Sequence, residues 1–352
     1  MPIPEKTPEE REALLQNWTK ESPWAPVSKR EPFLDSMNPL TRALPLLATL
    51  ATLATVSLSL SATAFGAEAT APSPIKHSYL VMGARTAIIG EDGQVAWEYK
   101  GGTRDGFILP NGHLLAAWAD RVEEVSPSKQ VVATYVRSAE NSEIGTVQRL
   151  YNGNTLVTEL GKRPRLLEVD ARGKIVRDVP LQPETDNAHM QTRMARQLRN
   201  GNYLVPHLLA FAVKEYTPEG QVVATIRTDL PELGGRPQEN WPFTAIRLDN
   251  GNTLVSLTHG NKVAEFNTAG QVVWKVTDDD VGGLFKDPCG SQRLANGNTV
   301  VGSHAANQGI SMVEVTPGRK IVWTSDHPAA AGVHHFQILT TNGKPEPGQP
   351  MK

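Results

Sequence analysis

The stretch Leu248-Asp249-Asn250-Gly251-Asn252-Thr253-Leu254-Val255 decides the fold. Asn-Gly between two apolar segments is a strong short-range hairpin signal. Gly adopts positive φ freely and Asn tolerates it, which suits a two-residue type I′ turn. Before the turn, Thr244, Ile246 and Leu248 alternate with Ala245, Arg247 and Asp249; after it come Thr253, Leu254 and Val255. The stretch therefore reads as strand, turn, strand. Variants recur at Leu109–Leu115, Leu150–Val157, Leu198–Val205 and Leu294–Val301, with a degraded copy at Leu339–Gly343.

A second turn-and-strand element follows each copy. It is Thr268-Ala269-Gly270-Gln271-Val272-Val273-Trp274 here, with relatives beginning at Glu91, Pro127, Asp170, Thr217 and Thr316. One unit is thus four antiparallel strands. The turn glycines Gly112, Gly153, Gly201, Gly251, Gly297 and Gly343 are spaced by about 41 to 50 residues, the range of propeller blades. Such a unit cannot bury its faces alone, and radial stacking leaves only short edges. The expectation is an all-β, six-bladed β-propeller of four-stranded antiparallel blades over residues 70–345. Ring closure follows from the ends: Val333–Leu339 supplies the inner strand of the blade begun by His77–Ile89.

Ahead of the repeats, Arg42 precedes a charge-free, Leu-rich run from Ala43 to Ala67, and Ala67-Glu68-Ala69 fits a small-x-small cleavage site. Residues 37–69 read as a secretory signal peptide or, if uncleaved, as a membrane anchor. Residues 1–36 read as disordered or as an over-extended start, and 346–352 as a disordered tail. The chain is expected to be exported, periplasmic or secreted.

The 352 residues carry a formal charge of −2. That gives no electrostatic case for nucleic acid, and none for a membrane apart from the possible anchor. Cys289 is the single cysteine, so no disulfide forms within the chain.

The repeated turns fall on one face of the ring. The variable segments, including Ser138–Ile144, Gln182–Met190, Asp229–Pro242 and Thr277–Cys289, fall on the other, and function gathers on loops held by a rigid scaffold. His207, His259 and His304 lie near the ends of three successive second strands. His189, His334 and His335 lie at or just before inner strands, as do Arg104 and Arg193. Trp118 and Trp241 break the repeat toward the variable face, whereas the recurring Trp97, Trp274 and Trp323 read as packing between blades. Imidazoles and guanidiniums in one funnel suit an anionic ligand, since Arg offers paired donors to sulfate, phosphate or carboxylate. His334 and His335 are adjacent, so on a strand they face opposite ways and cannot chelate one ion together. No metal site is expected. Asp278-Asp279-Asp280 lacks the spacing of a calcium loop, and Cys289 reads as a small buried hydrophobe.

The pairing of Leu-x-Asn-Gly-Asn-Thr-Leu-Val with Gly-Gln-Val-Val-Trp resembles exported propellers of the quinoprotein-like (PQQ-like) and arylsulfotransferase-like kind, over about residues 77–343. The arylsulfotransferase resemblance implies a histidine nucleophile. His334, before Leu339, looks like that position, and His189, before Leu198, matches it less closely. The other inner strands carry Arg104, Gly145, Arg193, Phe243 and Cys289 at the position of His334. The quinoprotein resemblance implies pyrroloquinoline quinone held beside a disulfide of adjacent cysteines, which one cysteine does not allow, so no cofactor is expected. The reading is an exported propeller that binds a small anionic ligand or a protein partner at its variable face and funnel. An arylsulfotransferase-like group-transfer enzyme and a pure interaction scaffold are the alternatives.

Overall fold

A computed structural model of the chain describes residues 74–347. The expected leader at 37–69, the segment 1–36 and positions 348–352 of the expected tail lie outside the described residues. Among the described residues, no helix is long and apolar enough to cross a membrane.

Each hairpin copy builds an antiparallel sheet, and six sheets form the blades of a β-propeller. Blade one runs from Asp105 to Val136, blade two from Asn141 to Pro180 and blade three from Arg196 to Arg227. Blade four runs from Pro242 to Thr277 and blade five from Pro288 to Ser325. Blade six is assembled from both ends of the described chain. Its inner strand His335–Thr341 pairs antiparallel with His77–Met82, in a register that sets Tyr79 opposite Ile338 and Val81 opposite Phe336. Closure is therefore made as the sequence implies. A short strand, Lys344–Pro345, adds a fifth member to this blade.

The turns differ from the expected type I′ geometry at five of the six copies. Gly112, Gly153, Gly201, Gly251 and Gly297 have positive φ, but the Asn before each does not. The amide of Gly251 donates to the Leu248 carbonyl at 3.0 Å, and that of Leu248 to the Asn252 carbonyl at 2.8 Å. This is a three-residue loop closed by a left-handed glycine, a bulged hairpin. Asn serves it through its side chain: Asn250 Oδ1 accepts the Asn252 amide at 3.0 Å, an Asx turn. Only the degraded copy has positive φ at both central residues, Asn342 at 49° and Gly343 at 75°. One residue more in that copy allows the two-residue turn.

The blades are held to one another by packing and by a repeated polar clip. Each junction has its own apolar cluster: Leu254 and Val263 of blade four meet Val301 and Val313 of blade five, all at most 1% exposed. Full burial of one such side chain contributes about 1.5–3 kcal/mol. Beside this core, a glutamate on the third strand reaches the next blade, at its inner strand in three cases and at the second strand, through His77, in blade six. Glu124 pairs with Arg149, Glu215 with Arg247, Glu265 with Arg293 and Glu314 with His77. The asparagine after the turn glycine steadies this carboxylate, as Asn252 Nδ2 does for Glu265 at 2.6 Å. Burial works to raise the Glu265 carboxyl, but the hydrogen bonds from Asn252 and Arg293 outweigh it and hold it low. Trp97 and Trp274 donate from Nε1 to the carbonyls of Pro127 and Pro317 on the following blades, so these indoles do pack between blades.

Inner strands of a ring lie too far apart to pair along their length, and side chains bridge them. Gln148 Oε1 accepts the Gln197 amide, Gln292 Oε1 that of Ile338, and Gln337 Oε1 that of Ile108, each at 2.8 Å. The inner-strand glutamines are thus structural, and so are Arg247 and Arg293.

Candidate functional site

The variable face opens into a cup of about 70 Å³, lined by Arg104, Gly145, His189, Arg193, Met194, Phe243 and His334. Four of these occupy the position of His334 on their own inner strands, so the repeat itself brings them into one ring. Local sequence sets their poses. Asn187 accepts the His189 amide at 3.2 Å and starts a single 3-10 turn, Ala188–Met190. Gln191 then locks this loop onto blade two, accepting from the Gly161 amide and donating to its carbonyl, both at 2.9 Å. His334 is placed by its amide, which donates to the Met82 carbonyl at 2.7 Å. The loop before it passes so close to blade six that a Cβ on Gly83 would stand 2.1 Å from the Gly332 carbonyl oxygen. At Gly145 a Cβ would meet Leu160 at 3.0 Å, and the missing side chain keeps that wall open.

The cup is cationic. Arg104 forms an ion pair with Glu143, whose carboxylate also lies 3.4 Å from His189 Nδ1. Burial opposes the charge on Glu143, but Arg104 beside it outweighs that and holds the carboxyl below its usual range. Arg193 is different. It is 4% exposed, and the one hydrogen bond its guanidinium makes among the described residues is to the carbonyl of Thr192, at 2.8 Å. No described carboxylate forms an ion pair with it. Its guanidinium carbon lies 5.9 Å from the Phe243 ring centre, and burial pulls its pKa down to about 10.

His334 stands between two rings, 4.5 Å from His304 and 6.1 Å from Phe243 by ring centres. Its Nδ1 is buried without a hydrogen-bond partner. Burial and the neighbouring cations push its pKa down to about 3, so it is a neutral imidazole at pH 7. His189 is lowered by burial and by Arg193, against the pull of Glu143.

Further along the same inner strands lies a buried polar layer. Asp105 and Arg196 form a fully buried two-pronged ion pair between blades one and three, with both contacts at 2.8 Å. His335 packs edge-on to Phe107, with its Nε2 3.8 Å from Asp105, and neither ring nitrogen has a hydrogen-bond partner. Adjacent His334 and His335 thus face different surroundings, as strand alternation requires.

The structure brings together His334, His189, Arg193 and Arg104, with His304 stacked on the first. It places the other candidates elsewhere. His259 is exposed on the rim, stacked on Trp241 at 4.0 Å and 3.1 Å from Glu239. His207 is fully buried and bonded to the Tyr216 hydroxyl at 3.0 Å; burial takes its pKa down to about 3. His335 is equally internal. Trp118 is buried against Tyr99 and Arg121, between blades six and one. A signal for two of these was present. Counting six residues on from the turn glycine gives Trp118, Glu159, His207, Leu257 and Ser303, and all five are at most 7% exposed. His207 shares the core position of Leu257, not the rim position of His259. Glu143, Phe243, Met194 and Gly145 were not singled out as site residues. Cys289 is buried, its thiol pushed up to about 12, chiefly by burial. Among the described residues, no group of three or more His, Cys, Asp or Glu could hold a metal ion.

Comparison with solved structures shows the same fold in proteins of little sequence similarity. A protein of unknown function from Bacteroides caccae is 22% identical, with a TM-score of 0.65, over 74% of this chain and 98% of that one. A streptogramin B lyase is 12% identical, TM-score 0.52, over 73% and 86%. The virginiamycin B lyase of Staphylococcus aureus is 14% identical, TM-score 0.51, over 68% and 76%. No curated protein matches the chain. The profile of the Mal s 1 allergenic protein-like family matches residues 88–306, and the chain belongs to that family.

Proposed function

We propose that the cup binds the anionic headgroup of a small ligand. The observation that carries this is Arg193, a buried guanidinium that lines the cup and forms no ion pair with a described carboxylate. A buried charge without an ion pair costs on the order of several kcal/mol; the nearby Glu143 carboxylate offsets this only in part, and an anion entering the cup relieves more of it. Arg104 supplies a second cation, while Phe243 and Met194 supply apolar wall. The charge-free run Ala43–Ala67 supports action outside the cytoplasm. Titrating the full chain with sulfate or acetate tests the reading. Saturable binding that falls at least about tenfold in Arg193→Gln is expected; equal binding by the variant overturns it.

A second reading, group transfer through His334, draws support from a neutral imidazole standing among two guanidiniums. Its ring nitrogen would attack a sulfuryl donor, expel a phenolate and pass the group on in a second step. A histidine heavier by one sulfuryl group after incubation with an aryl sulfate is the expected product; an unmodified chain sinks this reading. The scaffold alternative draws no support from the rim. Among the described residues, the exposed large hydrophobics sit on outer strands and at the turn residue Tyr151.

A further inference from the structure

The fixed charges of the cup leave one positive charge. Arg104 and Arg193 are cations, and Glu143, paired with Arg104, is an anion. The remaining groups facing the cup come from the other blades. Blade four offers only Phe243, blade six offers His334, and blade five stands behind them with His304 stacked on His334 and the buried, protonated Cys289 thiol packed on Phe243 and Met194. Adding protons to both rings of the His304–His334 stack would set two cations face to face at 4.5 Å.

Resting on the anion-cup reading, we propose that the cup selects a singly charged headgroup, a carboxylate or a sulfate monoester, at neutral pH. It admits a doubly charged phosphate monoester only together with a proton, carried by the ligand or by a cup imidazole. Three observations lead there. The cavity of about 70 Å³ takes a headgroup and little more, so the ligand's charge is concentrated beside Arg193. Of the remaining lining, Phe243, Met194 and Gly145 bring no side-chain donor, and His189 and His334 bring neutral imidazoles rather than a further positive charge to meet a second negative one. The buried face of the site excludes the water that would otherwise solvate that charge. The proton has two places to go on the protein: His334, and His189 on its far nitrogen, since Nδ1 faces Glu143. Both are neutral before the ligand arrives, and an incoming anion favours their charged form.

The test is calorimetric titration of the full chain at pH 7.5 with methyl sulfate, acetate and methyl phosphate. Two cationic buffers of different ionisation enthalpy reveal any proton uptake. Methyl sulfate and acetate are expected to bind with the same heat in both buffers. Methyl phosphate is expected to bind at least about tenfold more weakly, with a buffer-dependent heat that reports uptake of one proton. Methyl phosphate binding as tightly as methyl sulfate, with no proton taken up, overturns the selectivity while leaving the anion cup standing. Failure of all three to bind, or equal binding by Arg193→Gln, removes the cup reading itself and the selectivity with it.

Discussion

Asp105 and Arg196 face each other between blades one and three, joined by two contacts of 2.8 Å with both side chains buried from solvent. The pair ties non-adjacent blades at the inner strands. Asp105 also accepts the Val147 amide of blade two at 3.0 Å, so three blades meet at one carboxylate. Arg196→Met alone strands that charge and is expected to cost about 3–5 kcal/mol. Adding Asp105→Asn, which keeps an acceptor for Val147, is expected to recover most of it. Urea unfolding midpoints of the single and double variants check this; a double variant no better than the single contradicts it.

Stability should fall steeply in mild acid. The buried imidazoles His207, His334 and His335 have folded pKa values near 3, 3 and 4. Below the ordinary value near 6.5, the unfolded chain takes up protons that the folded chain refuses. Each group then removes about 1.4 kcal/mol per pH unit until its folded pKa is reached. Glu159 is held at about 2: burial raises it, but hydrogen bonds from Ser138, Asn141 and Tyr135 win. Its contribution is complete above about 4.5 and is lost as the pH falls toward 2. Thermal unfolding followed from pH 7 to 4 should show a continuous decline. A flat profile over that range contradicts the buried, neutral state of these rings.

The turn geometry separates two roles for asparagine. If Asn250 is needed for its side-chain cap on the Asn252 amide, Asn250→Gly loses about 0.5–1 kcal/mol. If it were needed for positive φ, glycine would serve as well or better. Gly251→Ala, at φ 85°, is expected to cost about 1–2 kcal/mol. Denaturation of the two variants decides the matter; a stabilised Asn250→Gly contradicts the assigned turn.

Blade number, strand pairing and closure were legible because each rests on short-range rules: a hairpin turn, alternation and a fixed repeat. The cup was legible in part for the same reason. Arg104, Gly145, Arg193 and Phe243 share one repeat position with His334, and the ring turns that register into proximity. Glu143 lies in the variable segment Ser138–Ile144, but its pairing with Arg104 beside the cup was not legible. Register shifts between Asn141 and Glu143 and between Ile144 and Thr146 break the alternation that would have told its face. The turn type was missed because Asn-Gly suits two hairpins, and the spacing from the repeat's leucine to Asn, one residue longer in the last copy, distinguishes them. The pairing of Asp105 with Arg196 joins blades that are not neighbours, and no local pattern announces it.

His335 is 2% exposed with both ring nitrogens unpartnered, and Ser291 Oγ and Gln292 Nε2 on the neighbouring inner strand share that condition. An imidazole carries at least one N–H, and leaving it unmet when buried costs about 1–3 kcal/mol. A high-resolution crystal structure is expected to hold ordered water against this ring. A dry channel there contradicts the expectation.

The proposed anion cup makes Arg193 the group that meets the ligand's negative charge. Crystals of the full chain soaked in selenate, read by the anomalous signal of selenium, test it most directly. The expected result is a peak in the cup within hydrogen-bond distance of the Arg193 guanidinium. A cup without that peak, with Arg193 turned to a carboxylate of the protein, would contradict the account.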